Sequence, residues 1–464
     1  MQFSEEQNFN NISISKYELM LKSKHTRYFD ASEFENIINY YFETGKISKA
    51  NQAIKIALSQ HPSSVNLQLF LVESLVIENK LSKAESILER LEELEPNNEE
   101  IYIQKANLLS KRNKHAEAIR IFQKAVNLAS SSEIEGDLYS FIGMEYIYLE
   151  DYANALQSFK ACIEIDLEDY SALHNIMYCF DFLDQPSEAI SYLNSYLDQN
   201  PYSEMAWHQL GIQYVSIKDY KKAIAAFDFA IISDDTFIGA YLEKGKVLEL
   251  QKKYKEAIEN YKITLALDDP TSFALLRMGY CYQKLNAPEK ALENFKKTVT
   301  EDPLLDKGWI AIINYYLQQK NLNKALFYIN KAIDVDADNS VYWKLYATTN
   351  KRLGMFEEAE RGYKQTLELG NYELETWIDR ADVLILLGEY EAAAFNLIQA
   401  GEFYMEQAEI EYRLAGIYFT LHKTDKALFH LKNGLTISKD YVFIVTELFP
   451  AVEYNKDFQL MVKN

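Results

Sequence analysis

The sequence predicts an all-α fold built as an array of tandem helical hairpins, with a helical cap at each end. Three observations predict it. Gly and Pro are scarce in this 464-residue chain, at 15 and 8, too few for the turns of a strand-rich fold. Apolar residues recur three and four apart, the spacing of one helix face. The whole pattern also repeats: alanines followed by such a face run from Ala50, Ala84 and Ala118 to Ala427, with ten of eleven intervals equal to 34 residues and one, Ala118 to Ala155, equal to 37.

Taking that alanine as position 20 of a 34-residue repeat, repeats 1 to 12 begin at residues 31, 65, 99, 136, 170, 204, 238, 272, 306, 340, 374 and 408. Positions 4, 8 and 11 form one face of a first helix, and positions 20, 24 and 27 one face of a second. All four tryptophans, Trp207, Trp309, Trp343 and Trp377, stand at position 4, where Phe34, Tyr102, Tyr139 and Tyr241 also stand. Position 8 is small in eight repeats, Gly143, Gly211, Gly245 and Gly279 among them, and position 24 is apolar throughout. A small residue at 8 and at 20 lets the two backbones approach while rings at 4 and 24 fill the space around them. Position 11 carries Tyr41, Tyr146, Tyr214, Tyr282, Tyr316 and Tyr418. Position 15 is rich in turn formers (Gly45, Asn79, Asn113, Asn286, Gly354, Gly388), and Pro186 and Pro288 at position 17 open second helices, where a missing amide hydrogen is harmless. Pro62, Pro96, Pro201 and Pro303 close their repeats at position 32.

This combination resembles the tetratricopeptide repeat (TPR) family. The resemblance covers residues 31–441, or 89% of the chain (411/464). It implies a right-handed superhelical solenoid of TPR hairpins. Repeat 2, with Gln68 at position 4, and repeat 12, with Glu411 there, depart from the pattern and are expected to be irregular, as are repeats lacking the closing proline. The RNA-binding pentatricopeptide repeat, with its period of about 35, is disfavoured by the strict spacing, the shared tryptophans and the acidic balance.

Residues 1–30 are expected to cap the array with a helix around 13–24, and residues 442–464 to cap its other end with an apolar helix and a short amphipathic tail, because solenoid ends need one polar face. Three extra residues, Ser130 to Ser132, break the phase and read as an insertion in a connecting loop. They divide the array into residues 31–135 and 136–441.

Composition narrows the functions. Lys+Arg 48 against Asp+Glu 69 gives a net charge of −21, with no basic run, so a nucleic-acid partner and an anionic membrane surface are disfavoured. The amino terminus lacks a basic and apolar leader, and no long apolar span occurs, which predicts a cytoplasmic protein without membrane insertion. Cys162, Cys179 and Cys281 form no CxxC pair and are expected to be reduced core thiols. No HExxH, GxSxG, GxxxxGK[ST] or GxGxxG motif is present, and the repeats leave no stretch for a catalytic domain. No catalytic residue, cofactor or metal site is expected. His174 and His208 share position 5 of adjacent repeats with Asp181 near, but nothing supplies a further ligand at motif spacing.

With positions 4, 8 and 11 committed to packing, positions 2, 5, 9 and 12 form the other face of the first helix. In TPR proteins that stripe lines the concave groove where partner peptides bind, so the resemblance implies a groove here. Repeats 4 to 6 supply Ser140, Met144, Ile147, His174, Tyr178, Asp181, Met205, His208, Ile212 and Val215, with Tyr148 and Phe182 beside them at position 13. Repeat 8 adds Phe273, Leu276 and Tyr280, and repeat 10 a basic spot of Lys344, Lys351 and Arg352. Aromatic and Met side chains suit an apolar peptide face. The Lys and Asn arrangement with which chaperone-binding members of the family hold a terminal carboxylate is missing; Lys344 comes nearest, but Thr348 stands where Asn is needed. The expected function is a non-catalytic scaffold or adaptor gripping a peptide or helix in the groove of repeats 4 to 8. The alternative is a regulator whose superhelix changes pitch on binding a ligand or peptide.

Overall fold

A computed structural model describes residues 13–22, 27–267 and 271–463; the amino-terminal residues read above as leaderless lie outside them. Among the described residues there is no strand, and the helices from Ala31–Glu43 to Thr424–Ile437 follow one another in twelve consecutive pairs. The chain divides into two compact halves, Met1–Phe237 and Ile238–Asn464, and the division falls in sequence between repeats 6 and 7.

Each hairpin is built as the period predicts. The alanine at position 20 and the apolar residue at position 24 are at most 1% exposed in all twelve repeats. Where position 8 is glycine, the ring at 24 lies directly against it. An added Cβ would stand 2.6 Å from Phe159 at Gly143, 2.4 Å from Phe227 at Gly211 and 2.3 Å from Phe295 at Gly279. Repeat 5 (helices Tyr170–Phe182 and Pro186–Gln199) carries Met177 at that position, buried in the core of repeats 4 to 6.

The turn between the helices follows one rule. All twelve residues at position 15 adopt left-handed backbone, with φ between 53° and 78°. They include Glu150, Lys218, Lys252, Lys320 and His422, side chains that pay a steric cost there of about 1 kcal/mol relative to glycine. Left-handed geometry is needed because the amide at position 16 donates back to the carbonyl at position 11, at 2.8–3.0 Å in every repeat, and so satisfies an orphan carbonyl at the helix end. Another recurrent tie joins neighbouring repeats. The position-4 side chain donates to the carbonyl at position 32 of the preceding repeat: Trp207 to Pro201, Trp309 to Pro303 and Trp343 to Ala337, each at 2.8 Å, and Tyr102 to Pro96 at 2.7 Å.

That tie corrects the expectation for repeat 2. Gln68 Nε2 donates to the Pro62 carbonyl at 3.0 Å, doing what the tryptophan does elsewhere, and the helix Val65–Ile77 is regular. In repeat 12, Glu411 instead accepts from His430 at 2.8 Å and Asn433 at 3.2 Å, across a regular hairpin. The departure falls at Trp377, whose buried indole N–H finds no acceptor among the described residues; Gly370 (φ 86°) stands in the connection before it.

The insertion is also corrected. Rather than enlarging a loop, it lengthens the first helix of repeat 4, which runs Ser132–Tyr148 over 17 residues where the other first helices have 13 or 14. Ser131 caps it, its hydroxyl accepting from the Ile134 amide at 3.2 Å. Acidic residues in the added turn, Glu133 and Glu135, favour helix at an amino-terminal end, so extending the helix satisfies more backbone than looping out.

Both caps form. The helix at 13–22 buries Tyr17 edge-on to Phe29 (6.0 Å) and Phe34 (6.3 Å). At the other end, Phe443–Leu448, a 3₁₀ turn Pro450–Tyr454 and the helix Lys456–Lys463 fold back on repeat 12. Phe449 presses on Gly416, where an added Cβ would be 2.2 Å from the ring, and Phe458 meets Phe419 edge-on at 6.1 Å. The three cysteines are buried free thiols, and burial pushes Cys162 and Cys281 up to about 12 and Cys179 to about 11, which keeps them protonated. No described helix is long and apolar enough to cross a membrane.

Candidate functional site

The stripe of repeats 4 to 6 lies within the amino-terminal half, and its residues are unequal. Tyr178 and Phe182 form an exposed aromatic cluster with ring centroids 4.6 Å apart. Tyr152, opening the second helix of repeat 4, completes it by stacking on Phe182 at 4.5 Å. Phe182 is 56% exposed. Tyr148 is exposed and stacks on His115 at 5.0 Å, while His115 Nδ1 meets Glu145 at 2.7 Å.

Other members are drawn into packing. Met144 and Ile147 are half-buried against the core of repeats 4 to 6, as is Met205. His174 is exposed, whereas the His208 ring sits between Phe227 (5.8 Å) and Phe237 (5.2 Å) of its own repeat. Ile212 is half-buried, and Asp181 accepts from Gln213 Nε2 at 3.0 Å. Among the described residues no three His, Cys, Asp or Glu side chains converge as metal ligands would.

In the carboxy-terminal half, Phe273 is half-buried beneath the Lys246 ammonium (5.4 Å), Leu276 is buried, and Tyr280 lies edge-on to Phe295 at 5.3 Å. The basic spot of repeat 10 is neutralised from within. Lys344 bonds Glu373 at 2.7 Å and Glu375 at 2.9 Å, and Lys351 bonds Asp379 at 2.8 Å, all carboxylates of the following repeat or its approach. Arg352 alone of the three stays exposed without an ion pair among the described residues.

Sequence reasoning passed over the groove of repeats 1 to 4. A cavity of about 900 Å³ opens there along the first helices of repeats 3 and 4, adjoined by one of about 410 Å³ along repeats 1 to 3; the two share Asn66, Glu100 and Gln104. Their walls are the same stripe, with Glu35, Asn39, Asn66, Leu69, Glu73 and Glu100 at positions 5, 9, 2, 5, 9 and 2. These positions follow from the phase, but amides and carboxylates at them form no apolar stripe. Burial pushes the Glu73 carboxyl up, with the Glu100 charge adding to it, and burial likewise raises Glu100.

Those raised carboxyls predict a pH-dependent stability. A carboxyl whose folded value lies above its unfolded one costs the folded state stability as pH rises through that interval, and the cost persists above it. Glu73→Gln removes the charge while keeping the shape. The variant is expected to melt about 2 °C above the native chain at neutral pH, with the difference vanishing as pH falls below the ordinary carboxylate range. Melting followed by circular dichroism across that range decides it; a gap that is constant with pH contradicts the burial argument.

The family models that match this chain agree with its repeated hairpins. Two family models described as tetratricopeptide repeat match, one at residues 99–132, 136–169 and 310–339 and another at 273–304. Anaphase-promoting complex subunit 3 of Schizosaccharomyces pombe is 24% identical over 211 residues, 45% of this chain. The chain spans 31% of the length of that protein. Among solved structures, the C-terminal part of a TPR repeat-containing protein from Cytophaga hutchinsonii is similar at 17% identity over 53% of this chain and 99% of that one, with a TM-score of 0.41. A tetratricopeptide repeat protein from Parabacteroides merdae is similar at 17% identity over 54% of this chain and 98% of that one, with a TM-score of 0.37.

Proposed function

Because this chain is a tetratricopeptide-repeat protein, we propose that it is a non-catalytic scaffold or adaptor that binds a peptide or helix of a partner protein along its first-helix stripe. The observation that carries the reading is the aromatic cluster of Tyr152, Tyr178 and Phe182, with Phe182 more than half exposed on an element otherwise well packed. Exposed rings that are already held by their neighbours present apolar area without a further ordering cost, which is what makes aromatic side chains dominant in interfaces. Met144, Ile212 and the His174 imidazole border the cluster on the same stripe and offer adaptable contact around it. The related yeast protein is by its name a subunit of a larger complex, which is the company a scaffold keeps. Cytoplasmic residence belongs to the same proposal.

The test compares the full chain with a variant carrying Tyr148→Ala, Tyr178→Ala and Phe182→Ala as baits in native lysate, with bound proteins identified by mass spectrometry. All three residues are exposed, so the variant keeps its fold. A partner held by the native chain and lost from the variant is the expected result, corresponding to about 2 kcal/mol or more of binding. Partners held equally by both would remove this stripe from the interface.

A further inference from the structure

We propose that the first-helix stripe of repeats 1 to 4 is a second docking groove, and that its occupant is an extended basic segment of a partner protein whose Lys or Arg side chains seat among Glu35, Glu73, Glu100 and Asp137. The inference rests on the protein-binding reading above but concerns a different groove, and none of its residues overlaps the aromatic cluster.

The charge of this groove has no counter-charge. The polar residues lining the two adjoining cavities are carboxylates and amides, with no Lys or Arg among the lining residues. Nothing cationic lowers Glu73 or Glu100; the influences on Glu73 are its burial and the neighbouring Glu100. The nearest lysine on these helices, Lys105, turns to Glu92 at 2.6 Å. A helix dipole accounts for Glu99 and Glu100 in a first turn, but Glu35 and Glu73 sit mid-helix, where it gives them nothing.

The other end of the chain differs: in repeats 10 to 12 charged residues of this stripe are paired from within, Lys344 with Glu373 and Glu375, Lys351 with Asp379, and Asp382 with Arg413 at 2.7 Å. The protein thus has the means to neutralise a groove and leaves this one open, at a cost in stability. An incoming cation would recover that cost.

Shape and the remaining chemistry also suit a polypeptide. Asn66 Nδ2 donates to Glu35 at 3.1 Å and Gln104 Nε2 to Glu100 at 2.9 Å, leaving their amide oxygens to accept, while Asn39 and Asn107 present whole amides to a peptide backbone and Ile103 and Phe141 give apolar contact. Such alternation fits a polypeptide better than a small polyamine, which has no carbonyls to receive the amide protons. Stacked helices are spaced by about 10 Å, so an extended chain, rising about 3.3 Å per residue, covers about three residues per repeat. A segment of about nine residues spans three repeats.

The experiment titrates the full chain into a fluorescein-labelled peptide of three Lys-Leu-Arg units and follows anisotropy at low salt. Binding is expected to weaken about tenfold in the Glu73→Gln, Glu100→Gln double variant, and to be unchanged in Glu391→Gln, Glu402→Gln, which removes the same net charge from exposed positions of repeat 11. A control peptide with Glu in place of Lys and Arg is expected not to bind. Equal weakening in both variants would reduce the effect to attraction by overall charge and overturn the proposal. So would absence of binding by the basic peptide, or equally tight binding of spermine that is insensitive to Asn66→Ala, Asn107→Ala. The Tyr148, Tyr178, Phe182 triple variant is expected to bind the peptide normally, so failure of one groove is distinguishable from failure of the other.

Discussion

Gly245→Val is expected to unfold in urea with a loss on the order of 4 kcal/mol. The Cβ alone would stand 2.4 Å from the ring of Tyr261, and valine adds two methyl groups beyond it. Overpacking of this kind costs about 1–3 kcal/mol where the neighbour can yield. Here it cannot yield freely. Tyr261 is fully buried and its hydroxyl donates to Glu249 at 2.7 Å, while Glu249 receives Arg277 through two bonds at 2.9 and 2.8 Å. Moving the ring strips a partner from a half-buried ion pair, and the repulsion and the lost pairing add. Unfolding followed by far-ultraviolet circular dichroism measures it. A midpoint equal to that of the native chain would show that the hairpin of repeat 7 opens at no cost, and the close-approach account of position 8 would fall.

Phe449→Ala is expected to lose about 3–4 kcal/mol, the range for deleting a buried phenylalanine ring, and to lose it locally. Phe449 is 4% exposed, lies on Gly416 and approaches Tyr390 of repeat 11 at 6.4 Å. It closes the last apolar surface of the array. Repeat proteins are stabilised between nearest neighbours, so an unsealed end frays before distant repeats respond. Amide hydrogen exchange is therefore expected to accelerate across residues 408–437 and to remain unchanged in the amino-terminal half. Uniform acceleration through both halves would contradict the nearest-neighbour account.

The period made much of this architecture readable in advance. The small residue at 8 and the ring at 24 do meet, and the turn formers at 15 mark left-handed backbone. What the turn residues did not announce is that Glu150, Lys218 and His422 take the same backbone, because the back-bond from position 16 to position 11 imposes it whatever the side chain. A further regularity went unread: lysine at position 19 lies over tyrosine at position 11 in five repeats, as in Lys222 over Tyr214 at 5.3 Å and Lys324 over Tyr316 at 5.6 Å. Such pairs contribute about 0.5–1 kcal/mol at exposed sites. Both residues were visible at fixed phase, but nothing in a pattern says that two side chains on different helices point at each other.

The candidate sites divide in the same way. Which residues occupy the stripe at positions 2, 5, 9 and 12 follows from the 34-residue period alone, since helical phase is a local property carried by covalent spacing. Tyr178 and Phe182 were legible for that reason. Whether a stripe residue is free depends on what the next repeat places opposite it, about 28 to 31 residues along: Lys344 and Lys351 looked available and are taken by Glu373, Glu375 and Asp379. The same distance-dependent pairing leaves Glu73 and Glu100 without cations and turns a polar stretch of repeats 1 to 4 into a cavity. By itself the sequence determined the hairpins, their phase and their faces. Only the tertiary structure decided which charges cancel and which groove stays open, because electrostatic pairing depends on distances through space that no periodicity encodes.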